Sequence, residues 1–240
     1  MKYETTITTT LDYQDVDFTG KIRISKLLEQ LSYVAHLNSV ENRFWYEEMM
    51  GQYGWIILKQ RMRFIRPITI KDSYELTTYP GDYSRVRFYR NSIVKVDGEI
   101  VMEQTALWSL IDIVNRRVIA PSKLDLEFPE ETKGDILLEF KDEGLDFDFE
   151  FCKEIEIEYS HIDVNRHLNN VRYLEWCLDT FDIDSIAELH ITDITLNYLK
   201  ESHYKEILCV HRCFLDNEYV FVITGSDFND VRFSCYIEVR

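Results

Sequence analysis

Two stretches of this chain carry the same order of hydrophobic patterns. In the later one, Ile155, Ile157 and Tyr159 alternate with Glu154, Glu156 and Glu158, the period of a half-buried strand. The period then changes. Val171, Leu174 and Leu178 recur at steps of three and four, with Tyr173, Trp176 and Cys177 beside them, which predicts an amphipathic helix starting near Asn169. In the earlier stretch a helix is predicted from about Ser25, a suitable N-cap, through Leu27, Leu28, Leu31, Val34 and Ala35 towards Asn38. Strand-like runs follow each helix: Tyr74–Tyr79, Ser84–Val96 and Ile100–Ile113 in the first half, and Ile207–Leu215, Tyr219–Gly225 and Val231–Val239 in the second. Turn signals separate them at Pro80-Gly81-Asp82, Asp97-Gly98 and Asp216-Asn217.

The likeness extends to register. Moved back by 146 positions, Tyr159–Trp176 lands without gaps on the segment from Tyr13: Tyr159 on Tyr13, Ile162 on Val16, Asp163 on Asp17, Leu174 on Leu28 and Glu175 on Glu29. A second match, Met62–Asp72 with Leu196–Glu206, has an offset of 134. Each half therefore reads as a strand, one long helix and about four strands, an α+β unit whose helix buries its apolar face on a mostly antiparallel sheet. Two such units make a tandem pseudo-dimer: an N-terminal domain over 1–120, a linker over 121–150 and a C-terminal domain over 151–240. Internal pairing of this kind leaves association of two chains into a homodimer open.

Composition narrows the setting. A chain of 240 residues with 45% hydrophobic and 14% aromatic content can bury a sizeable core. No apolar run approaches the roughly 20 residues of a membrane span, and the first residues lack the apolar core of a secretory signal. Five scattered cysteines form no C-x-x-C pair, which suits a reducing cytoplasm. The net charge of −16 disfavours nucleic acid as a partner. Half of that excess lies between Pro121 and Glu150, where eleven Asp and Glu face three Lys, a net of −8, the composition of a solvated linker.

Candidate chemistry sits where strand gives way to helix in the second half. Asp163, Asn165 and His167 occupy alternate positions there, ahead of a helix start whose free N–H groups and dipole favour negative charge. The first copy keeps Asp17 but has Thr19, Lys21 and Pro67 where the second has Asn165, His167 and Glu201. Singly, each residue has a plain structural alternative: a capping Asp, a satisfied His, a surface Glu. Their joint presence in just one copy of a repeat points to chemistry in the second half, with the first as partner, pocket or docking surface. No metal site is expected, because Cys209, His211 and Cys213 share one face of a predicted strand, which does not bring neighbouring ligands around an ion, and His203 lies apart. No cofactor is expected either, since neither a Gly-rich phosphate loop nor a nucleophile elbow is present.

The string D-V-N-R-H-L-N-N-V-R-Y-L-E-W at 163–176 resembles the signature of acyl-acyl carrier protein thioesterases, plant-type and bacterial. Leu196-Asn197-Tyr198-Leu199-Lys200-Glu201 resembles that family's second motif. Asp15–Ile22 and Ala106–Pro121, with Trp108-Ser109 and Asn115-Arg116-Arg117, resemble its N-terminal blocks. The resemblance implies a tandem, or double, hot-dog fold, each half a long helix on a curved sheet, and hydrolysis of fatty acyl thioesters on acyl carrier protein. It places the catalytic set on Asp163, Asn165, His167 and Glu201. Where many plant members have Cys after that Glu, this chain has Ser202, so a thiolate mechanism is not expected, and Cys177 reads as core.

In such a site Glu201 is the general base or nucleophile, and His167 positions water and passes the proton. Asn165 and backbone N–H groups near 168–170 are the expected donors to the oxyanion, and Asp163 orients the loop. An acidic carrier needs a basic patch on a protein of the same sign. The candidates are Arg85 and Arg87, expected to share a strand face, with Arg116, Arg117, Arg166 and Arg172, for contact with the carrier or its phosphopantetheine. Phe44, Trp45, Tyr46, Met49, Met50, Tyr53 and Trp55 are candidates either for an acyl tunnel or for core. An acyl-CoA thioesterase, a silent acyl-binding protein and a hydratase are the competing functions, because fold alone does not fix chemistry.

Overall fold

A computed structural model describes residues 3–140 and 144–240. The chain divides into two compact units, one ending at Glu139 and the other beginning at Phe140. In the first, β1 (Thr5–Thr10) leads to α1 (Ile24–Glu41), then β2 (Tyr53–Phe64), β3 (Ser73–Tyr83), β4 (Phe88–Val96), β5 (Glu99–Asp112) and the short β6 (Arg117–Val118). In the second, β7 (Glu150–Glu156) leads to α2 (Asn170–Leu178) and α3 (Ile183–Glu188), then β8 (Ile191–Tyr198), β9 (Ile207–Leu215), β10 (Glu218–Thr224) and β11 (Val231–Val239). Every strand pair within a unit is antiparallel. The strand order is β1-β3-β4-β5-β2 in the first unit and β7-β9-β10-β11-β8 in the second. These are the same order, element for element.

The first unit is built around α1. Its apolar stripe, Leu27, Leu28, Leu31, Val34 and Ala35, is buried as the spacing requires, and the helix packs on β3. Each fully buried Leu there contributes about 1.5–3 kcal/mol over an exposed one. Tyr74 and Leu76 of β3 are likewise buried, and burial pushes the Tyr74 phenol up while its hydroxyl bonds Gln30. Ser25 is not the N-cap. Arg23 holds that position without a side-chain cap, its Nε donating instead to the Val16 carbonyl at 2.9 Å. In the second unit the predicted single helix is two. Thr180 turns its hydroxyl back onto the Cys177 carbonyl (2.7 Å), Phe181 packs edge-on against Tyr219, and Asp182 caps α3 through the N–H groups of Asp184 and Ser185. The aromatic anchor ends α2 before a long helix can form.

Pro80-Gly81-Asp82 is not a turn. β3 runs through it, with a register shift between Pro80 and Tyr83, and the connection to β4 comes at 84–87. The reason is a close approach. A Cβ on Gly81 would lie 2.5 Å from the Asp135 carbonyl oxygen, which also accepts the Asp82 N–H at 3.0 Å. Gly81 therefore marks a bulge crossed by another backbone. That backbone belongs to the segment expected to be a solvated linker. Over 121–139 the segment instead lies on the first unit: Leu126 and Leu138 are buried, and the Leu138 N–H donates to Thr105 Oγ1 at 3.0 Å. Asp125, Glu127, Glu130, Glu131 and Glu139 are exposed between the apolar anchors, so the composition of the surface hid the anchors beneath it.

The hairpin turns at Asp97-Gly98 and Asp216-Asn217 fall where the sequence predicts. Both residues of each have positive φ, as a two-residue turn that matches strand twist requires. No helix among the described residues is long and apolar enough to cross a membrane.

Several carboxylates carry the fold's electrostatics. The Asp12 backbone N–H, with Lys26 and Arg23, holds Asp15 below the usual carboxylate value against the cost of its burial. Burial works to raise Asp72, but the Thr69 N–H and Arg66 outweigh it and the net shift is down. Groups with depressed folded-state values stabilise fully above the ordinary value near 3.8 and lose that contribution as pH falls through the depressed ones. The melting temperature is thus expected to fall steeply below about pH 4. A Asp72→Asn variant should show a shallower acid limb in a thermal-melt series.

Candidate functional site

One carboxylate shapes the loop between β7 and α2. Asp163 Oδ1 accepts the backbone N–H of Asn165 at 2.8 Å and of His167 at 3.1 Å. The Asp163 N–H donates to the His167 carbonyl at 2.8 Å, and Arg166 N–H to the Asp163 carbonyl at 3.1 Å. Between them Arg166 takes φ +64°. The first unit repeats this frame. Asp17 Oδ1 accepts the N–H of Thr19 at 2.8 Å and of Lys21 at 3.3 Å, and Gly20 sits at φ +77°. Glycine takes that backbone freely, whereas Arg166 bears about 1–2 kcal/mol for it. Asn169 then opens α2 by accepting the Val171 N–H at 3.0 Å.

The β8–β9 connection forms the other side. Leu168 N–H donates to the Ser202 carbonyl at 2.8 Å, and His167 bridges His203 in antiparallel fashion. In the first unit Ile22 N–H donates to the Ile68 carbonyl at 2.8 Å, and Lys21 bridges Thr69. Both sequence offsets, 146 and 134, thus recur as equivalent hydrogen bonds. They set His167 and Glu201 opposite each other, with Nε2 3.7 Å from Oε2 and both side chains about one third exposed. The His203 ring stands edge-on to His167, centroids 5.0 Å apart.

Arg232, on β11, locks the strip that carries Glu201. Its Nη1 donates to the Glu201 backbone carbonyl at 2.6 Å and to Glu206 Oε2 at 2.9 Å, while Nε and Nη2 donate to Asp230 Oδ2 at 3.0 and 2.8 Å. Burial disfavours the Arg232 charge, but Asp230 and Glu206 outweigh it and hold the guanidinium protonated. Arg232 and Lys200 in turn hold the Asp230 carboxyl down. Sequence reasoning missed Arg232, because nothing local in a strand says which distant loop a side chain meets.

Ser202 is 1% exposed, and its hydroxyl accepts from the Tyr173 phenol at 2.9 Å. Burial pushes that phenol up to about 12. A hydroxyl so enclosed is poorly placed to attack substrate. Cys177 and Cys235 lie in the core, where burial pushes the Cys235 thiol up, the opposite of an activated nucleophile.

Other expected positions turn out differently. Asn165 is exposed at the tip of the turn, its amide donating to Asp163 Oδ2 at 3.4 Å. Of the helix-start donors, Leu168 N–H is taken by Ser202, Asn169 N–H by the His161 carbonyl and Val171 N–H by Asn169, so these three do not point at a ligand. Arg85 and Arg87 do not share a strand face. They lie within the 84–87 turn, exposed, with β4 starting at Phe88. Arg116 lies on the β5–β6 turn and Arg117 opens β6, 3.9 Å from Asp112. Arg166 is exposed beside His167, and Arg172 pairs with Glu175 on α2. Phe44 and Met49 are buried, and Trp45, Tyr46, Tyr53 and Trp55 pack around Met49, Leu110, Ile119 and Leu126, while Met50 is exposed. That aromatic segment forms core in the first unit.

Comparison with known proteins covers both units. The family model for the acyl-ACP thioesterase N-terminal domain matches residues 2–123, and that for the C-terminal domain matches residues 146–224. A chloroplastic acyl-[acyl-carrier-protein] hydrolase, FATB3, of Cuphea viscosissima is 24% identical over 169 residues, 64% of this chain and 39% of that protein. The chain therefore spans about two fifths of the length of this plant relative. Among solved structures, an acyl-ACP thioesterase from Bacteroides thetaiotaomicron superposes with a TM-score of 0.84 at 19% identity, covering 100% of this chain and 98% of the other. The 12:0-ACP thioesterase of Umbellularia californica gives 0.79 at 18%, covering 99% and 97%.

Proposed function

This chain belongs to the acyl-ACP thioesterase family, and from that premise we propose that it hydrolyses fatty acyl thioesters of acyl carrier protein to free acid and carrier, on a double hot-dog fold whose later unit holds the reacting groups. The observation that carries this is the His167–Glu201 pair, 3.7 Å apart in a frame whose other copy has Lys21 and Pro67 instead. Two equivalent loops, one with an imidazole and a carboxylate and one without, support a reading in which the pair serves chemistry and not folding.

In the proposed reaction Glu201 takes a proton from water as the water oxygen bonds to the thioester carbon. The carbonyl becomes an oxyanion, for which the Asn165 amide is the side-chain donor; such a donor contributes about 3–4 kcal/mol to lowering the barrier. The carbon–sulfur bond then breaks, and the proton taken up by Glu201 passes through His167 to the departing sulfur, which restores both groups; the demand is light because a thiol leaves readily as thiolate. Asp163 acts through the loop, fixing Asn165 and His167 by their backbones. If Glu201 instead attacks directly, the same geometry serves and water resolves the mixed anhydride.

Arg85, Arg87 and Arg166, all exposed, are the proposed carrier contacts, since Arg117 and Arg172 face their own carboxylates. The deciding experiment is thiol release from a panel of acyl-carrier substrates, run beside the same acyl groups on CoA. A higher kcat/KM on carrier is the expected result. Preference for CoA would make this an acyl-CoA thioesterase, and stoichiometric acyl binding without thiol release would make it a binding protein.

A further inference from the structure

His203 has no part in the chemistry above, yet it completes a cluster. The ligand atoms of His167, Glu201 and His203 all lie within 4.8 Å of one another. In tetrahedral zinc sites, bonds of about 2.1 Å put neighbouring ligand atoms about 3.4 Å apart. His167 Nε2 and Glu201 Oε2, at 3.7 Å, are already close to that spacing, and the His203 ring beside them is exposed. The backbones beneath are fixed by the His167–His203 bridge, by Asp163 and by the Arg232 bond to the Glu201 carbonyl.

The ligand set decides which ion. Two imidazoles and one carboxylate suit zinc and its borderline neighbours cobalt and nickel, not calcium or magnesium, which take all-oxygen shells. A net charge of −16 raises the local concentration of any divalent cation. The first unit has Lys21, Pro67 and Thr69 at the three equivalent positions and none of these ligands.

We propose that His167, Glu201 and His203 form a zinc-class binding site, and that an ion held there shuts the enzyme off reversibly by occupying the lone pairs of His167 and Glu201. The inhibitory half rests on the function proposed above; the binding half does not. Chelator-stripped protein is titrated with cobalt(II) alone and followed by the visible d–d absorption of low-coordinate cobalt, with zinc then added to displace it. Saturation at one equivalent is expected, without the near-ultraviolet sulfur-to-cobalt band that cysteine ligation would add. His203→Asn should weaken binding at least tenfold, and His203→Gln, checked for an unchanged melt, should do the same. No saturable signal, or one unaltered in both variants, overturns the site. In thiol release, zinc should inhibit the stripped wild type, chelator should restore it, and His203→Asn should need at least tenfold more zinc while keeping the metal-free rate. A rate that rises with zinc, or falls on stripping, overturns the inhibition. Cobalt binding in a protein that hydrolyses no thioester would leave the site standing and sink the function.

Discussion

Glu201→Gln is expected to lower kcat/KM on an acyl-carrier thioester by about 10²–10⁴-fold, the range for loss of a positioned general base. His167→Ala should fall in the same range, and the double variant should be little worse than either single one, because groups that act as a unit lose their effect together. Stability is the control. Both side chains are about one third exposed at 3.7 Å separation, so the pair contributes little to folding and the melts should nearly overlay. Undiminished turnover in the double variant would end the proposal. A parallel fall in melting temperature and activity would turn the pair into a structural one.

Arg232→Met should be costly in a different way. The change removes five donated hydrogen bonds, among them that to Ser202 Oγ at 3.4 Å, and leaves the Asp230 and Glu206 carboxylates facing each other without the cation between them. We expect a melting temperature lower by about 5 °C, as losing charged hydrogen bonds does in a protein of this size. Because Nη1 holds the Glu201 carbonyl, kcat should also drop, by about tenfold, with KM changed less, as misplacement of a reacting group predicts. Arg232→Lys tests the fork: one ammonium cannot reach both carboxylates and the carbonyl in plane, so it should recover only part of either loss. Wild-type activity in a destabilised Arg232→Met protein would limit the residue to folding.

What the sequence revealed and what it concealed follow a physical division. β9 and β11 end at the predicted residues, because period-two alternation and two-residue turns are local signals. The His167–Glu201 pairing was also legible, since a repeat with two offsets carries long-range register in the sequence itself. The break between α2 and α3 was not, because it depends on Phe181 meeting Tyr219 across the unit. Gly81 was misread for the same reason: a glycine under a crossing backbone and a glycine in a turn look alike until the partner, Asp135, is known. The acidic 121–139 segment shows how charge counts conceal a few apolar anchors. Arg232 escaped notice, and His203 was set apart from the site, because a single side chain reaching another loop leaves no period.

The Asp163 turn and its twin at Asp17 share the same main-chain amides on one acid, although the side chains at 165 and 167 differ from those at 19 and 21. Such a cradle is a socket, indifferent to what is plugged into it. Reagents can be exchanged there without recoding the backbone, so the first copy is a blank on which a designer could write a new imidazole, amide and carboxylate beside those of the second.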